Sequence, residues 1–164
     1  MNTFDKVIGY KSIKQELQQI CDMIRNRTVY EEMGARLPHG LLLYGDPGLG
    51  KTLLAKCLIE ESGLNAITVR RDRGSDAFIS SIMEAFAKAK ADAPAIIFLD
   101  DMDKFSTEDA SYRDTPEYAA VQAGIDDIKE SNVFLIATAN EIRKLPISLR
   151  RSGQKASHSS TDGI

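Results

Sequence analysis

The residues with the clearest chemical potential form one short stretch of the chain, which reads Gly45, Asp46, Pro47, Gly48, Leu49, Gly50, Lys51 and Thr52. Their spacing is G-x-x-x-x-G-K-[ST], in which glycines let backbone N–H groups turn inward around a phosphate at a helix N-terminus. Lys51 would reach the β- and γ-phosphates of a nucleotide, and the Thr52 hydroxyl would hold Mg²⁺. The alternative is an ordinary glycine-rich turn between two elements.

The flanking sequence favours the phosphate loop over that alternative. The apolar run at 41–44 predicts a buried strand before the loop, and Leu53 and Leu54 open a predicted helix after it. This strand–loop–helix context is the one in which the motif is known to work. The predicted nucleotide-binding residues are therefore the eight of the loop together with Leu53.

Polar side chains also follow two other apolar runs. Asp100 and Asp101 come directly after residues 95–99, and Asn140 comes shortly after residues 133–137. Ligands bind beyond the carboxyl ends of strands in open α/β sheets, so we expect these side chains beside the phosphate loop. Asp100 would hold Mg²⁺ and Asp101 would polarise the water that attacks the γ-phosphate, while Asn140 would hydrogen-bond to that phosphate or water. Turn formation is the alternative at all three positions.

The predicted elements would bring these residues to one edge of a sheet. A capping box formed by Ser12 and Gln15, with apolar residues at helical spacing after it, predicts a first helix at 13–26, followed by a short helical turn at 28–36. Strands are predicted at 41–44, 66–69, 95–99 and 133–137, with helices between them. This alternation implies right-handed βαβ crossovers. The fold class is therefore α/β, a three-layer αβα P-loop fold with a parallel sheet.

Composition excludes several classes of function. The net charge of −3 gives no reason to expect a nucleic acid or an anionic membrane as partner. No apolar run approaches the ~20 residues of a membrane span, and the polar N-terminus lacks a signal-peptide core. Cys21 and Cys57 occupy apolar helix positions, which predicts buried thiols in a reducing compartment, the cytoplasm. The two histidines lack the H-E-x-x-H spacing of a zinc protease.

Two segments lie outside these motifs. Arg70, Arg71 and Arg73 form a small basic cluster that either contacts a partner or is a solvated loop, and the solvated loop is favoured. From Ser152 onward the sequence is rich in Ser, Gly and Lys without apolar periodicity. We therefore predict a nucleotide-binding domain over 1–153 and a disordered tail over 154–164.

The motifs together resemble those of AAA+ ATPases. Three further segments are most similar to the ATPase module of bacterial membrane-anchored AAA zinc proteases: Phe4-Asp5-x-Val7-Ile8-Gly9, Gly34-Ala35-Arg36-x-Pro38-x-Gly40 and Ala93-Pro94-Ala95-Ile96-Ile97-Phe98. The resemblance extends over residues 4–153.

The resemblance implies roles that the motifs alone do not assign. Ile8 and Gly9 would line the adenine pocket, and residues 45–52 would be Walker A. Asp100 and Asp101 would end Walker B, and Asn140 would be sensor 1. Arg151 resembles the arginine finger that reaches into a neighbouring subunit's site. The complete protein would then assemble as a hexameric ring that uses ATP and Mg²⁺ to remodel a protein partner.

The chain differs from the family pattern in four places. Asp101 stands where Glu is usual, and Gln154 occupies the place of a second finger arginine. The segment 69–76 is shorter than one holding the usual aromatic pore loop, and the chain ends before the family's fifth strand and helical lid. We therefore expect this chain to be mainly monomeric and to have very low ATPase activity by itself.

Two other functions share the phosphate loop. One is a GTPase switch or a small-molecule kinase, and GTP is disfavoured because Asn140 is followed by Glu-Ile-Arg and not by the guanine-reading K-x-D. A nucleotide-binding scaffold with little or no turnover is the second hypothesis, because the shorter Asp101 holds its carboxylate further from a bound water. Nucleotide binding and phosphate release measured on the same preparation distinguish a scaffold from an ATPase.

Overall fold

A parallel sheet lies at the centre of the fold. The computed structural model describes residues 11–35, 37–46, 48, 50–106, 115–145 and 154–158. Within those residues the strands are β1 (Gly40–Gly45), β2 (Asn65–Val69), β3 (Ala95–Leu99), β4 (Val133–Ala139) and β5 (Gln154–His158). Their spatial order is β2-β3-β4-β1-β5, and each neighbouring pair is parallel. The strands that precede the phosphate loop, the Asp pair and Asn140 are therefore adjacent.

Helices cover both faces of this sheet. They are α1 (Lys11–Arg25), α2 (Arg27–Glu32), α3 (Lys51–Ser62), α4 (Ser75–Ala91) and α5 (Pro116–Asp127), with short 3-10 turns at Met102–Lys104 and Ile142–Lys144. Residues of α1 and α3 form one apolar core with the sheet, and residues of α4 and α5 form the other. The predicted three-layer αβα fold is confirmed. No helix in the described part of the chain is long and apolar enough to cross a membrane.

The interior strand β3 is buried on both faces. Ile97 and Leu99 pack into the core beneath α4 and α5, whereas Ile96 and Phe98 pack into the core beneath α1 and α3. Successive side chains of a strand point to opposite faces, so a strand between two helical layers must be apolar throughout. This requirement explains why the sequence predicts the bounds of β3 correctly.

The residues at the ends of two helices are of types that favour helix termination or capping. Gly63 ends α3 in the left-handed conformation, with φ 71°, which suits a residue without a Cβ. Thr115 caps α5, its hydroxyl oxygen accepting a hydrogen bond from the Tyr118 N–H, and Pro116 occupies the first turn. The capping box predicted at Ser12 does not mark a helix start, because α1 already begins at Lys11.

The predicted disordered tail is wrong for its first five residues. Gln154–His158 form β5, which pairs with β1 in the register Leu41↔Gln154 to Gly45↔His158. The expectation that the chain ends before a fifth strand is wrong for the same reason. An edge strand is held by main-chain hydrogen bonds to one neighbour, so it needs no apolar alternation that a sequence pattern could reveal. Residues 159–164 lie outside the described residues.

The arginine cluster is not uniformly solvated. Arg73 is exposed and pairs with Asp72 at 2.8 Å, as a solvated loop predicts. Arg71, in contrast, is largely buried. Its guanidinium donates to the Phe105 carbonyl at 2.5 Å and to Ser75 Oγ at 2.9 Å, and it lies 3.4 Å from Glu117 Oε1. The solvated-loop interpretation of Arg71 is therefore wrong, because protein groups take the place of water around its guanidinium.

Candidate functional site

The loop between β1 and α3 has a backbone that glycine makes possible. Gly48 and Gly50 have φ of 85° and 79°, in a region that residues with a Cβ rarely adopt. Gly50 is the N-cap of α3, so the loop leads directly into the first turn of that helix. The positive end of the helix dipole and its unpaired N–H groups are located there. This arrangement suits an anion such as a phosphate.

Lys51 places a cation at the same point. Its side chain is mostly buried, and its ammonium group donates to the carbonyl oxygens of Gly45 and Asp46, each at 2.8 Å. Burial lowers the pKa of Lys51, and the nearby carboxylates of Asp103, Asp101 and Asp46 oppose that shift. The ammonium is therefore held by carbonyls of the loop itself, with carboxylates around it.

Asp100 joins the phosphate loop to the two central strands. Its buried carboxylate accepts hydrogen bonds on Oδ1 from Thr52 Oγ1 at 3.0 Å and from Thr138 Oγ1 at 2.9 Å. Oδ2 lies 3.7 Å from the guanidinium of Arg70. Residues from β1–α3, β3 and β4 therefore meet at one carboxylate, as the adjacent strand ends require.

Asp101 has a different environment from its neighbour. Its backbone is left-handed, with φ 59°, and its N–H donates to Thr138 Oγ1 at 2.9 Å. Its carboxylate is partly exposed and lies 3.3 Å from the ammonium of Lys104. Asn140 is held through its backbone, because its N–H donates to Asp103 Oδ2 at 2.6 Å. The amide side chain of Asn140 lines the cavity described next.

These residues surround one open cavity of about 380 Å³. Its volume is within the ~300–1,000 Å³ range of small-molecule sites. Three of the lining side chains are cations, those of Lys51, Arg70 and Lys104, and one is the carboxylate of Asp101. The remaining lining residues are Gly48, Gly50, Thr52, Thr138, Ala139 and Asn140. A cavity with this charge and a helix N-terminus at one wall is suited to a polyphosphate.

The donor set fits Mg²⁺ bound together with phosphate. Thr52 and Asp100 offer a hydroxyl and a carboxylate within 3.0 Å of each other. Within the described ranges, three or more His, Cys, Asp or Glu side chains do not gather into a metal cluster. A full protein cage is not required, because Mg²⁺ is usually held by one or two carboxylates together with phosphate oxygens and water.

The structure brings most of the predicted site residues together. Gly48, Gly50, Lys51, Thr52, Asp101 and Asn140 line the cavity. Gly45 and Asp46 contribute through their carbonyls, and Asp100 lies behind Thr52 and Thr138. Leu53 is 44% exposed and is not among the cavity's lining residues. The predicted positions Ile8, Gly9, Pro47, Leu49 and Arg151 lie outside the described residues.

Sequence reasoning missed five residues of the site: Arg70, Asp103, Lys104, Thr138 and Ala139. Position alone could have indicated two of them, because Arg70 directly follows β2 and Thr138 lies near the end of β4. Their side chains therefore start at the sheet edge where ligands bind. Asp103 and Lys104 belong to a 3-10 turn that no sequence pattern predicted.

Comparison with known proteins gives a family match over most of the chain. The model described as "ATPase family associated with various cellular activities (AAA)" matches residues 41–160. Similar curated proteins include the ATP-dependent zinc metalloprotease FtsH 2 of Sphaerobacter thermophilus, 33% identical over 93% of this chain and 25% of that protein. FtsH 2 of Symbiobacterium thermophilum is 36% identical over 79% of this chain and 22% of its own length.

A third relative extends the same result. FtsH of Mycoplasma pneumoniae is 31% identical over 94% of this chain and 23% of its own length. The chain thus spans about a quarter of the length of these curated relatives. The similarity covers both the phosphate loop and the strands that carry the other candidate residues.

Proposed function

The chain belongs to the AAA family of ATPases, and from that premise we propose that it binds ATP with Mg²⁺ in the cavity beyond β1, β3 and β4 and hydrolyses it. One observation carries the proposal. Thr52 of the phosphate loop and Thr138 of β4 both donate to the buried carboxylate of Asp100, which directly follows β3, and Lys51 lines the same cavity as the two threonines. A hydroxyl, a carboxylate and a cation in this arrangement match the phosphoryl-transfer sites of P-loop proteins.

Binding would use the loop and the first turn of α3. Backbone N–H groups of residues 45–52 would surround the phosphates, and Lys51 would turn its ammonium from the Gly45 and Asp46 carbonyls toward them. Thr52 and Asp100 would hold Mg²⁺, which neutralises charge on the phosphate oxygens. Because Thr138 also donates to Asp100, the carboxylate is kept in place from the β4 side.

Hydrolysis would use the side chains on the opposite wall of the cavity. Asp101 would accept a proton from the attacking water, and Asn140 would hydrogen-bond to that water or to the terminal phosphate. The N–H of Asp101 is fixed by Thr138, and the N–H of Asn140 is fixed by Asp103. Both side chains therefore extend from backbones that neighbouring elements hold in place, as a positioned catalytic group requires.

Further roles rest on the family relationship. Ile8 and Gly9 would contact adenine, and Pro47, Leu49 and Leu53 would complete the loop around the nucleotide. Arg151 would act in the site of a neighbouring subunit within a ring, where ATP hydrolysis remodels a protein partner. The relatives are named as ATP-dependent zinc metalloproteases. Cys21 and Cys57, both within the described residues, are buried and form no disulfide, which supports a reducing, cytoplasmic location.

A nucleotide-binding scaffold with little turnover is a second candidate, favoured by Asp101. Its carboxylate is one methylene shorter than the Glu usual in the family, and Lys104 lies 3.3 Å away. The ion pair with Lys104 thus engages the same carboxylate that would have to hold the attacking water. Phosphate release at the rate of the buffer blank, from a preparation that binds ATP, would establish the scaffold.

Nucleotide binding is tested by substituting Lys51. We expect Lys51→Ala to weaken binding of ATP at least about tenfold, because a charge-assisted contact to phosphate is lost. Titration of a fluorescent ATP analogue into both proteins measures this. Lys56→Ala is the matched control, since Lys56 lies on the same helix with an exposed side chain. Equal affinity of Lys51→Ala and wild type would contradict the proposed site.

A further inference from the structure

Among the described residues that line the cavity, Arg70 carries a charge that the proposed function does not use. Lys104 is also charged, but it pairs with Asp101. Arg70 follows β2 directly, and its side chain is 60% exposed. Its Nη1 lies 3.7 Å from Asp100 Oδ2, which is longer than a hydrogen bond. The guanidinium is thus attracted to Asp100 without being fixed on it.

The position of Arg70 is set by the sheet. Val69 is paired with Leu99, and the Asp100 N–H donates to the Val69 carbonyl at 3.0 Å. Arg70 and Asp100 therefore leave neighbouring strands side by side. β2 is three strands from β1 in the sheet order, so the two strand ends are about 14 Å apart at the usual spacing. Arg70 enters the cavity from the side opposite the phosphate loop.

We propose that Arg70 contacts the terminal phosphate of a nucleoside triphosphate bound in its own chain and makes the site prefer the triphosphate over the diphosphate. The inference rests on the proposed function. The loop N–H groups would hold the inner phosphates and Lys51 would reach the β- and γ-phosphates, so the terminal phosphate is the one that extends toward β3 and β2. A guanidinium can donate two parallel hydrogen bonds to phosphate oxygens. Such a bidentate contact is stronger than the 3.7 Å ion pair that Arg70 makes with Asp100.

Charge balance supports the same assignment. Asp100 already accepts two hydrogen bonds from Thr52 and Thr138, so it does not depend on Arg70 for partners. Mg²⁺ held by Asp100 and Thr52 would also repel the guanidinium from that carboxylate. An exposed, flexible arginine beside a newly bound polyanion would then turn to the phosphate. A diphosphate lacks the group that Arg70 reaches.

The test measures the affinities of ATP and ADP for the same variants of the full 164-residue chain. We expect Arg70→Gln to weaken ATP binding about tenfold and ADP binding less than about twofold, so that the preference for ATP falls. Arg70→Lys keeps the charge but cannot bind phosphate in the bidentate geometry of a guanidinium, so its affinity for ATP should fall about threefold. Arg73→Gln is the matched control, because Arg73 is exposed in the same segment, pairs with Asp72 and does not line the cavity.

The outcomes separate this inference from the function on which it rests. If wild type binds both nucleotides and Lys51→Ala does not, yet Arg70→Gln leaves the ratio of the two affinities unchanged, only the role of Arg70 is overturned. If wild type binds neither nucleotide, the proposed function and the role of Arg70 fail together. A loss of ATP affinity in Arg73→Gln equal to that in Arg70→Gln would also overturn the role, since it would show a general effect of charge.

Discussion

At the scale of single residues, the adjacent carboxylates of Asp100 and Asp101 lie in different environments. Asp100 is buried and accepts hydrogen bonds from two threonines. Asp101 is partly exposed, faces the cavity and has a left-handed backbone with φ 59°. Asp adopts that conformation more readily than residues with longer side chains, because its short polar group can hydrogen-bond locally. The backbone thus favours Asp at the position where the family usually has Glu.

The length of Asp101 gives a prediction about catalysis. A carboxylate misplaced by ~1 Å can cost ~10²-fold in rate without changing ground-state binding. We therefore expect Asp101→Glu to raise ATP turnover several-fold with little change in ATP affinity, and to lower stability by about 0.5–1 kcal/mol because of the left-handed backbone. Phosphate release, ATP titration and thermal unfolding of the same preparation measure the three quantities.

Asp101→Asn is the matched variant, since it keeps the size of the side chain and removes its basicity. It should bind ATP as wild type does and release no phosphate above the blank. Unchanged turnover in Asp101→Glu, with none in Asp101→Asn, would show that the left-handed backbone compensates for the shorter side chain. Normal turnover in Asp101→Asn would mean that another group accepts the proton.

At the scale of elements, Arg71 connects helices α4 and α5 to the loop after β3. Its guanidinium contacts Phe105, Ser75 and Glu117, which belong to the loop after β3, to α4 and to α5 respectively. It also lies 5.4 Å from the centre of the Phe78 ring, within the range of a cation–π contact. Neighbouring arginines thus differ in environment, because Arg70 faces the cavity whereas Arg71 is enclosed between helices.

Removing Arg71 alone should destabilise the fold. We expect Arg71→Met to lower the free energy of unfolding by about 3 kcal/mol, because Glu117 is left buried with an uncompensated charge. The double variant Arg71→Met/Glu117→Met should recover a large part of that loss, since no buried charge remains. Chemical denaturation of wild type, both variants and exposed Arg73→Met measures the differences. A double variant no more stable than Arg71→Met would show that the Phe105 and Ser75 contacts carry the effect.

The same elements show what a sequence can and cannot predict. β3 and β4 are predicted well because burial on both faces makes them continuously apolar. β5 is missed because Gln154–His158 is defined by pairing with β1, a long-range contact without a side-chain pattern. The phosphate loop is predicted because its glycines are needed locally, whereas Asp103 meets Asn140 only when β3 and β4 lie side by side.

At the scale of the whole molecule, the proposed site takes groups from more than one chain. Within the described residues, the cavity wall supplies three cations together with Thr52 and Asp101, and Asp100 lies behind Thr52. Arg151, for which we propose a role in a neighbour's site, is outside those residues. If a neighbour must supply this arginine, one chain can bind ATP alone but cannot complete the catalytic site. Binding and turnover should therefore depend differently on protein concentration.

The last prediction follows from that difference. We expect the chain to be mainly monomeric by light scattering, with very low turnover per chain that rises as the protein is concentrated, while ATP affinity stays constant. An arginine supplied in trans contributes ~10³–10⁵ in rate, so even a small associated fraction should dominate turnover. Arg151→Ala should bind ATP normally and remain at the low rate at every concentration.

Mixing two inactive variants makes the test specific for an arginine that acts between chains. Lys51→Ala keeps Arg151 but binds ATP poorly, and Arg151→Ala binds ATP but lacks the arginine. Because the first can supply what the second needs, their mixture should turn over ATP faster than either alone, and a mixture with the double variant Lys51→Ala/Arg151→Ala should not. Turnover per chain that is independent of concentration in wild type, together with no gain on mixing, would show that each chain hydrolyses ATP without its neighbour.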